Sequence, residues 1–216
     1  MNMKFLDVLL PMMFDGLKLT ILIAVVGIGI GFLIGSLCGY LLQSKYKIGK
    51  AIAEVYIWII RATPLMVQAL YGYFVIPKLF GVDISSTIVG IGVIALNSGA
   101  YCAEIVRAAI QSIDKGQYEA AKALGMNYSQ TMSLIVIPQS IRRMLPAICN
   151  EFIMVLKDAS LVFAISLMDI TTISNSIMNS DGSYIVFIPA LIIYLIITAF
   201  FTYIFNKIEK KFSVYE

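Results

Sequence analysis

Apolar residues gather into five long stretches along the chain, at about 19–42, 53–77, 87–110, 147–168 and 185–206. Each is near or above the roughly 20 mainly apolar residues that an α-helix needs to cross a bilayer. The first and last contain no charged residue. The middle three carry Arg61, Glu104, Arg107, Glu151, Lys157 and Asp158, so their polar positions should face protein or a cavity, because a charge in lipid is costly. The pattern predicts an all-α integral membrane protein with five transmembrane helices in one domain over 1–216. The first stretch is longer than a signal-peptide core and has no small-residue cleavage site behind it, so it reads as a retained span. Within it Gly27, Gly31, Gly35 and Gly39 recur every four residues, a strip of small residues that lets another helix come close. Packing within one subunit is the favoured use of that strip, ahead of a dimer interface.

The connections set an orientation. Lys45, Lys47 and Lys50 follow the first stretch, Lys115, Lys122, Arg142 and Arg143 lie between the third and fourth, and Lys207, Lys210 and Lys211 follow the fifth. On the other side stand Lys4, Lys18 and Lys78, with no basic residue between Asp169 and Ser183. Basic connections stay in the cytoplasm, which puts the N-terminus outside and the C-terminus inside. That arrangement needs an odd number of spans, as five is. The connection over 111–146 is long and moderately apolar, the mark of a folded loop with a partner. A short helix fits 117–124, with Gly125 as its stop, and a second fits 129–137, with Asn127 or Ser129 as cap and Pro138 as breaker. Pro146 then suits the first turn of the fourth span.

Composition agrees. Hydrophobic residues make up 60% and charged residues 13%, against about 25% charged in soluble domains. A net charge of +3 is too small for a nucleic-acid surface. The chain has no His, and Cys38, Cys102 and Cys149 are too scattered for a metal site, so they read as small buried hydrophobes and no metal is expected. No glycine-rich phosphate loop with Lys-Ser/Thr occurs, so energy for any pumping must come from another subunit.

A free amino acid carries a carboxylate and an ammonium close together, and a site for it needs a cation for one and an anion for the other. Arg61, Asn97, Glu104 and Asp158 are candidates to line such a path, with Lys157, and with Ser98 beside Asn97. Thr63-Pro64 can break the second helix and free backbone groups there. Arg61 and Glu104 fall at similar depth, and Lys157 and Asp158 near the middle of the fourth span. The alternative is an ion-pair network that only holds helices together, towards which Lys157 and Asp158 lean.

The loop also holds Glu119-Ala120-Ala121, Gly125, Ile135, Ile137 and Pro138. That spacing resembles the EAA loop of binding-protein-dependent ABC importer permeases, with Ile137 where the pattern has Leu. Arg61-Ala62-Thr63-Pro64-Leu65 resembles the RGTPL segment of the polar amino acid subfamily, Gly99-Ala100-Tyr101 with Ala103-Glu104-Ile105 and Arg107 its GAYxAEIxR segment, and Leu156–Leu161 its LKDTSL segment. Ala62 and Ala159 depart from these patterns. The resemblance covers about 55–165.

It implies a MetI-like permease fold in a bacterial plasma or inner membrane, with Glu119, Ala120, Ala121, Gly125 and Pro138 in a cytoplasmic coupling loop that docks on a separate ATPase. ATP and Mg²⁺ would bind that partner and no cofactor this chain. It further implies a second permease, identical or related, an extracellular or periplasmic amino-acid-binding protein, and polar amino acids as cargo, with a leaning to basic ones such as arginine. Two other classes stay open. An ion-coupled secondary transporter or channel would need inverted repeats or a filter, and neither is evident. A membrane-embedded enzyme would need a catalytic constellation, and none is evident either.

Overall fold

The computed structural model describes residues 3–212, with side chains from Leu9 onward apart from that of Asp181. The side chain of Lys4, used above for orientation, lies outside the described residues. Every regular element among them is helical. The chain opens with α1 (Met3–Gln43), whose 41 residues extend for about 60 Å at 1.5 Å per residue. α2 (Lys47–Ala62) ends at Thr63 and Pro64, both extended with ψ of 141° and 136°. A proline has no N–H to continue the ladder and pushes the residue before it out of the helical region. The chain resumes as α3 (Leu65–Leu70), a π-turn (Tyr71–Val75) and α4 (Ile76–Phe80), bent by 105° from α2.

After Gly81, α5 (Ser86–Gln111) returns through the centre. α6 (Lys115–Ala123) and α7 (Tyr128–Thr131) form the connection expected to be folded. A second π-turn (Met132–Val136) leads directly into α8 (Ile137–Asp158). A 3₁₀ segment (Ala159–Ile165), α9 (Ile170–Asp181), a 3₁₀ turn (Tyr184–Val186) and α10 (Phe187–Phe212) complete the fold.

Among the described residues, three helical segments are long and apolar enough to cross a membrane, Leu9–Gln43, Ser86–Gln111 and Tyr184–Phe212, and the bent pair makes a fourth if counted as one broken span. α8 is long enough but carries Arg142, Arg143, Glu151, Lys157 and Asp158. It also begins and ends earlier than the stretch at 147–168. Pro138 does not break it, and Pro146 lies inside it rather than in its first turn. The reason is the π-turn. The Ile137 N–H reaches back five residues to the Met132 carbonyl, and the widened turn admits the proline ring that a regular turn would exclude. The Ile76 N–H does the same to Tyr71 ahead of Pro77. Lys157 and Asp158 stand at the end of α8, where the chain tightens into the 3₁₀ segment, not at its middle.

α1 packs along α5 on the glycine strip. A Cβ at Gly27 would stand 2.6 Å from Ile94 Cγ2, at Gly31 2.9 Å from the Ala95 carbonyl, and at Gly39 2.7 Å from Val106 Cγ1. The strip is therefore occupied within the subunit. Ile23, Ile94, Leu156, Val162 and Ile165 fill the main core between α1, α5 and the end of α8. Outward, large apolar side chains such as Leu33, Leu37, Leu191 and Leu195 are 60–70% exposed, the surface of a protein whose solvent is hydrocarbon.

Candidate functional site

The break between α2 and α3 shapes the site. The last carbonyls of a helix have no partner within it. Side chains take them here. Thr63 Oγ1 donates to the Ile59 carbonyl at 2.9 Å, and Gln68 Nε2 donates to Ile60 O at 2.8 Å, Thr63 O at 3.1 Å and Thr63 Oγ1 at 2.9 Å. At the far end of the Gln68 amide, Oε1 accepts from Asn97 Nδ2 on α5 at 3.3 Å.

A cavity of about 480 Å³ opens beside this break. Arg61, Thr63 and Pro64 form one wall, Asn97 and Tyr101 of α5 a second, and Glu151, Met154, Asp158 and Leu161 a third. Glu151 and Asp158 are seven residues apart, two turns of α8, and so share a face. Five of the eight residues singled out for a path thus meet at one cavity: Arg61, Thr63, Pro64, Asn97 and Asp158. Ser98 is fully buried, with Oγ 3.8 Å from Cys102 Sγ. Lys157 is exposed and outside the lining.

Glu104 lines a neighbouring cavity of about 420 Å³ with Glu54, Trp58, Arg61 and Ala62. Its carboxylate accepts from Arg107 Nε at 3.0 Å and Nη2 at 2.5 Å, while Arg61 Nη1 stands 3.8 Å away. The Arg61 guanidinium lies 5.3 Å from the centre of the Tyr101 ring, within cation–π range. Arg61 is common to both cavities.

The connection beneath is a built unit. Asp114 caps α6 by accepting from Gly116 N–H at 2.7 Å. Gly125, at φ +77°, ends it. Its N–H reaches Lys122 O and that of Met126 reaches Ala121 O, each at 3.0 Å, the paired bonds of a Schellman turn. Asn127 and Gln130 cap α7 reciprocally. Arg143 of α8 donates to the carbonyl of Ser112, at the end of α5, so the segment is tied at both ends. Ala121 is fully buried, whereas Glu119 and Ala120 are exposed beside Leu124 and Tyr128, which are 80% and 65% exposed.

The sequence pattern of the binding-protein-dependent transport system inner membrane component family matches residues 27–214. The chain belongs to that family. As such a component it is a transport subunit rather than an enzyme. The glutamine transport system permease protein GlnP of Escherichia coli (strain K12) is 34% identical over 207 residues, covering 95% of this chain and 94% of that protein. The arginine transport system permease protein ArtQ of Bacillus subtilis (strain 168) is 34% identical over 214 residues, 98% of each. A crystal structure of an amino acid ABC transporter with histidines superposes with a TM-score of 0.90 at 36% identity, over 98% of this chain and 100% of that one. The inward-facing methionine transporter MetNI shares the fold, with a TM-score of 0.75 at 17% identity over 98% and 99% of the chains. The MetI-like permease fold is thereby shown.

Gln68 was not among the permease residues expected from the sequence, nor were Glu151 and Tyr101 placed in a site. Glu151 carried a signal, a charge in an apolar stretch seven residues before Asp158. Gln68 carried none, since a glutamine one turn beyond a Pro is ordinary until the break folds back on it.

Proposed function

We propose that this chain is the membrane-spanning subunit of an ATP-driven importer of polar amino acids, with basic ones preferred, and that its substrate sits in the cavity beside the helix break. The carrying observation is that Glu151, Asp158 and Arg61 line one cavity of about 480 Å³, a volume in the range of small-molecule sites. Arg61 and the Asn97 amide suit the carboxylate of an amino acid. The two carboxylates suit its ammonium and a second cation in the side chain, which favours arginine-like cargo. The names of the glutamine and arginine relatives support this substrate class.

In this reading the exposed Glu119-Ala120 face of α6, with Leu124 and Tyr128, docks on a separate ATPase that binds ATP and Mg²⁺. Small side chains let that helix lie in a shallow groove, Gly125 ends it, and Gln139 of α8 donates to Gln117 of α6 at 3.2 Å. The rest of the assembly is a second permease, an amino-acid-binding protein outside, and membrane lipid. The N-terminus is outside and the C-terminus in the cytoplasm of a bacterial cell.

The test is to purify the chain with its ATPase, reconstitute it, and screen amino acids for binding and for stimulation of ATP hydrolysis. Saturable stimulation by L-arginine or another polar amino acid is the expected result. Solute entry driven by an ion gradient without ATP would instead favour a secondary transporter.

A further inference from the structure

We infer that Gln68 is a positioning residue: its amide clamps the break between α2 and α3 and ties that break, through Asn97, to the wall of the cavity. The hydrogen-bond arithmetic leads there. Breaking a helix in a membrane-spanning chain frees carbonyls that protein must satisfy wherever water does not reach them. The carbonyls of Ile60 and Thr63 both converge on Gln68 Nε2, at 2.8 and 3.1 Å, with Thr63 Oγ1 at 2.9 Å. A carbonyl only accepts, so this end of the amide is the nitrogen, and the opposite end must be the acceptor that Asn97 Nδ2 meets at 3.3 Å. One side chain thus holds both sides of the 105° bend and reaches the helix across the cavity.

Two consequences follow from the positions of its partners. Arg61 lies between the clamped carbonyls of Ile60 and Thr63, so the clamp sets where the guanidinium can stand. Asn97 lines the cavity and has a second amide proton and its oxygen to offer a ligand. A carboxylate that takes the second amide proton of Asn97 pulls on that side chain and, through its bond to Gln68 Oε1, on the clamp, so occupancy of the cavity is communicated to the break. This second consequence rests on the cavity being the substrate site; the first does not.

The experiment uses the reconstituted complex with spin labels on Val55→Cys of α2 and Phe74→Cys of the π-turn, both exposed positions, in a Cys38→Ser background. The label-to-label distance distribution reads the bend without substrate. The clamp predicts one narrow distribution for the parent, and a broad or displaced one for Gln68→Met, which keeps the length of the side chain and removes its amide. Gln68→Glu should behave like Gln68→Met, because it retains acceptors but loses the donors. An unchanged distribution in both variants overturns the proposal.

Asn97→Ala cuts the link and removes one polar contact to the ligand, so it should keep the narrow distribution, while the shift produced by L-arginine in the parent stays absent even at concentrations raised until binding saturates. In uptake, Gln68→Met should lower kcat by about tenfold, as for the net loss of one or two hydrogen bonds, with the ATPase still co-purifying. A parent complex whose ATPase does not respond to L-arginine defeats the substrate reading alone, since the bend is measured without it.

Discussion

Gly35 of α1 and Cys102 of α5 lie so close that a Cβ on the glycine would stand 2.5 Å from the cysteine Cβ, and 2.7 Å from the Gly99 carbonyl. Backbone atoms on α5 cannot retreat from such a group without moving the helix. Gly35→Val is therefore expected to destabilise the chain by about 1–3 kcal/mol, the usual range for overpacking. Gly29, one face away, has nothing within 4 Å of its would-be Cβ, and Gly29→Ala should be neutral or gain up to about 1 kcal/mol of helix propensity. Thermal unfolding of the two variants in detergent separates them.

Glu104 is held first by Arg107 and only loosely by Arg61. Glu104→Gln should leave folding and ATPase docking intact and lower uptake about fivefold, the effect of weakening a partly exposed ion pair by about 1 kcal/mol. Initial rates of solute uptake check this. Unchanged transport would confine Glu104 to holding α5 and α2 together.

Gly125 takes a backbone conformation with φ of +77° that costs other residues about 1–2 kcal/mol. Gly125→Val should loosen the end of α6, so that ATP hydrolysed per solute imported rises while the ATPase still co-purifies. Parallel measurement of phosphate release and uptake in proteoliposomes gives that ratio.

Orientation is open to a direct check. Among the native thiols, Cys102 and Cys149 are buried and Cys38 is half-buried, so an added exposed cysteine dominates labelling by an impermeant maleimide. Asp83→Cys should label in intact cells, and Lys122→Cys only after the membrane is opened.

The outermost spans were legible because an uninterrupted apolar run has few other uses. The Thr63-Pro64 break and the Gly125 stop were legible because proline and glycine act locally. The course of α8 was not. Pro138 signals a helix end by itself, and only the five-residue return of the Ile137 N–H lets the helix continue through it. The gathering of Arg61, Asn97 and Asp158 depended on which charged helices meet. The cost of charge in a membrane singled out Arg61 and Asp158, but did not show that Glu151 lines the same cavity or that Gln68 bonds to Asn97.

The central claim is that Glu151 and Asp158 receive the cationic part of an amino acid carried through this chain. ATP-dependent uptake of radiolabelled L-arginine by the reconstituted complex, compared with its Glu151→Gln/Asp158→Asn variant, tests it most directly. The account predicts that the apparent KM rises by at least about tenfold, the loss of a charge-assisted partner, while the variant still assembles with its ATPase. An assembled variant that takes up arginine with an unchanged KM and rate would contradict it.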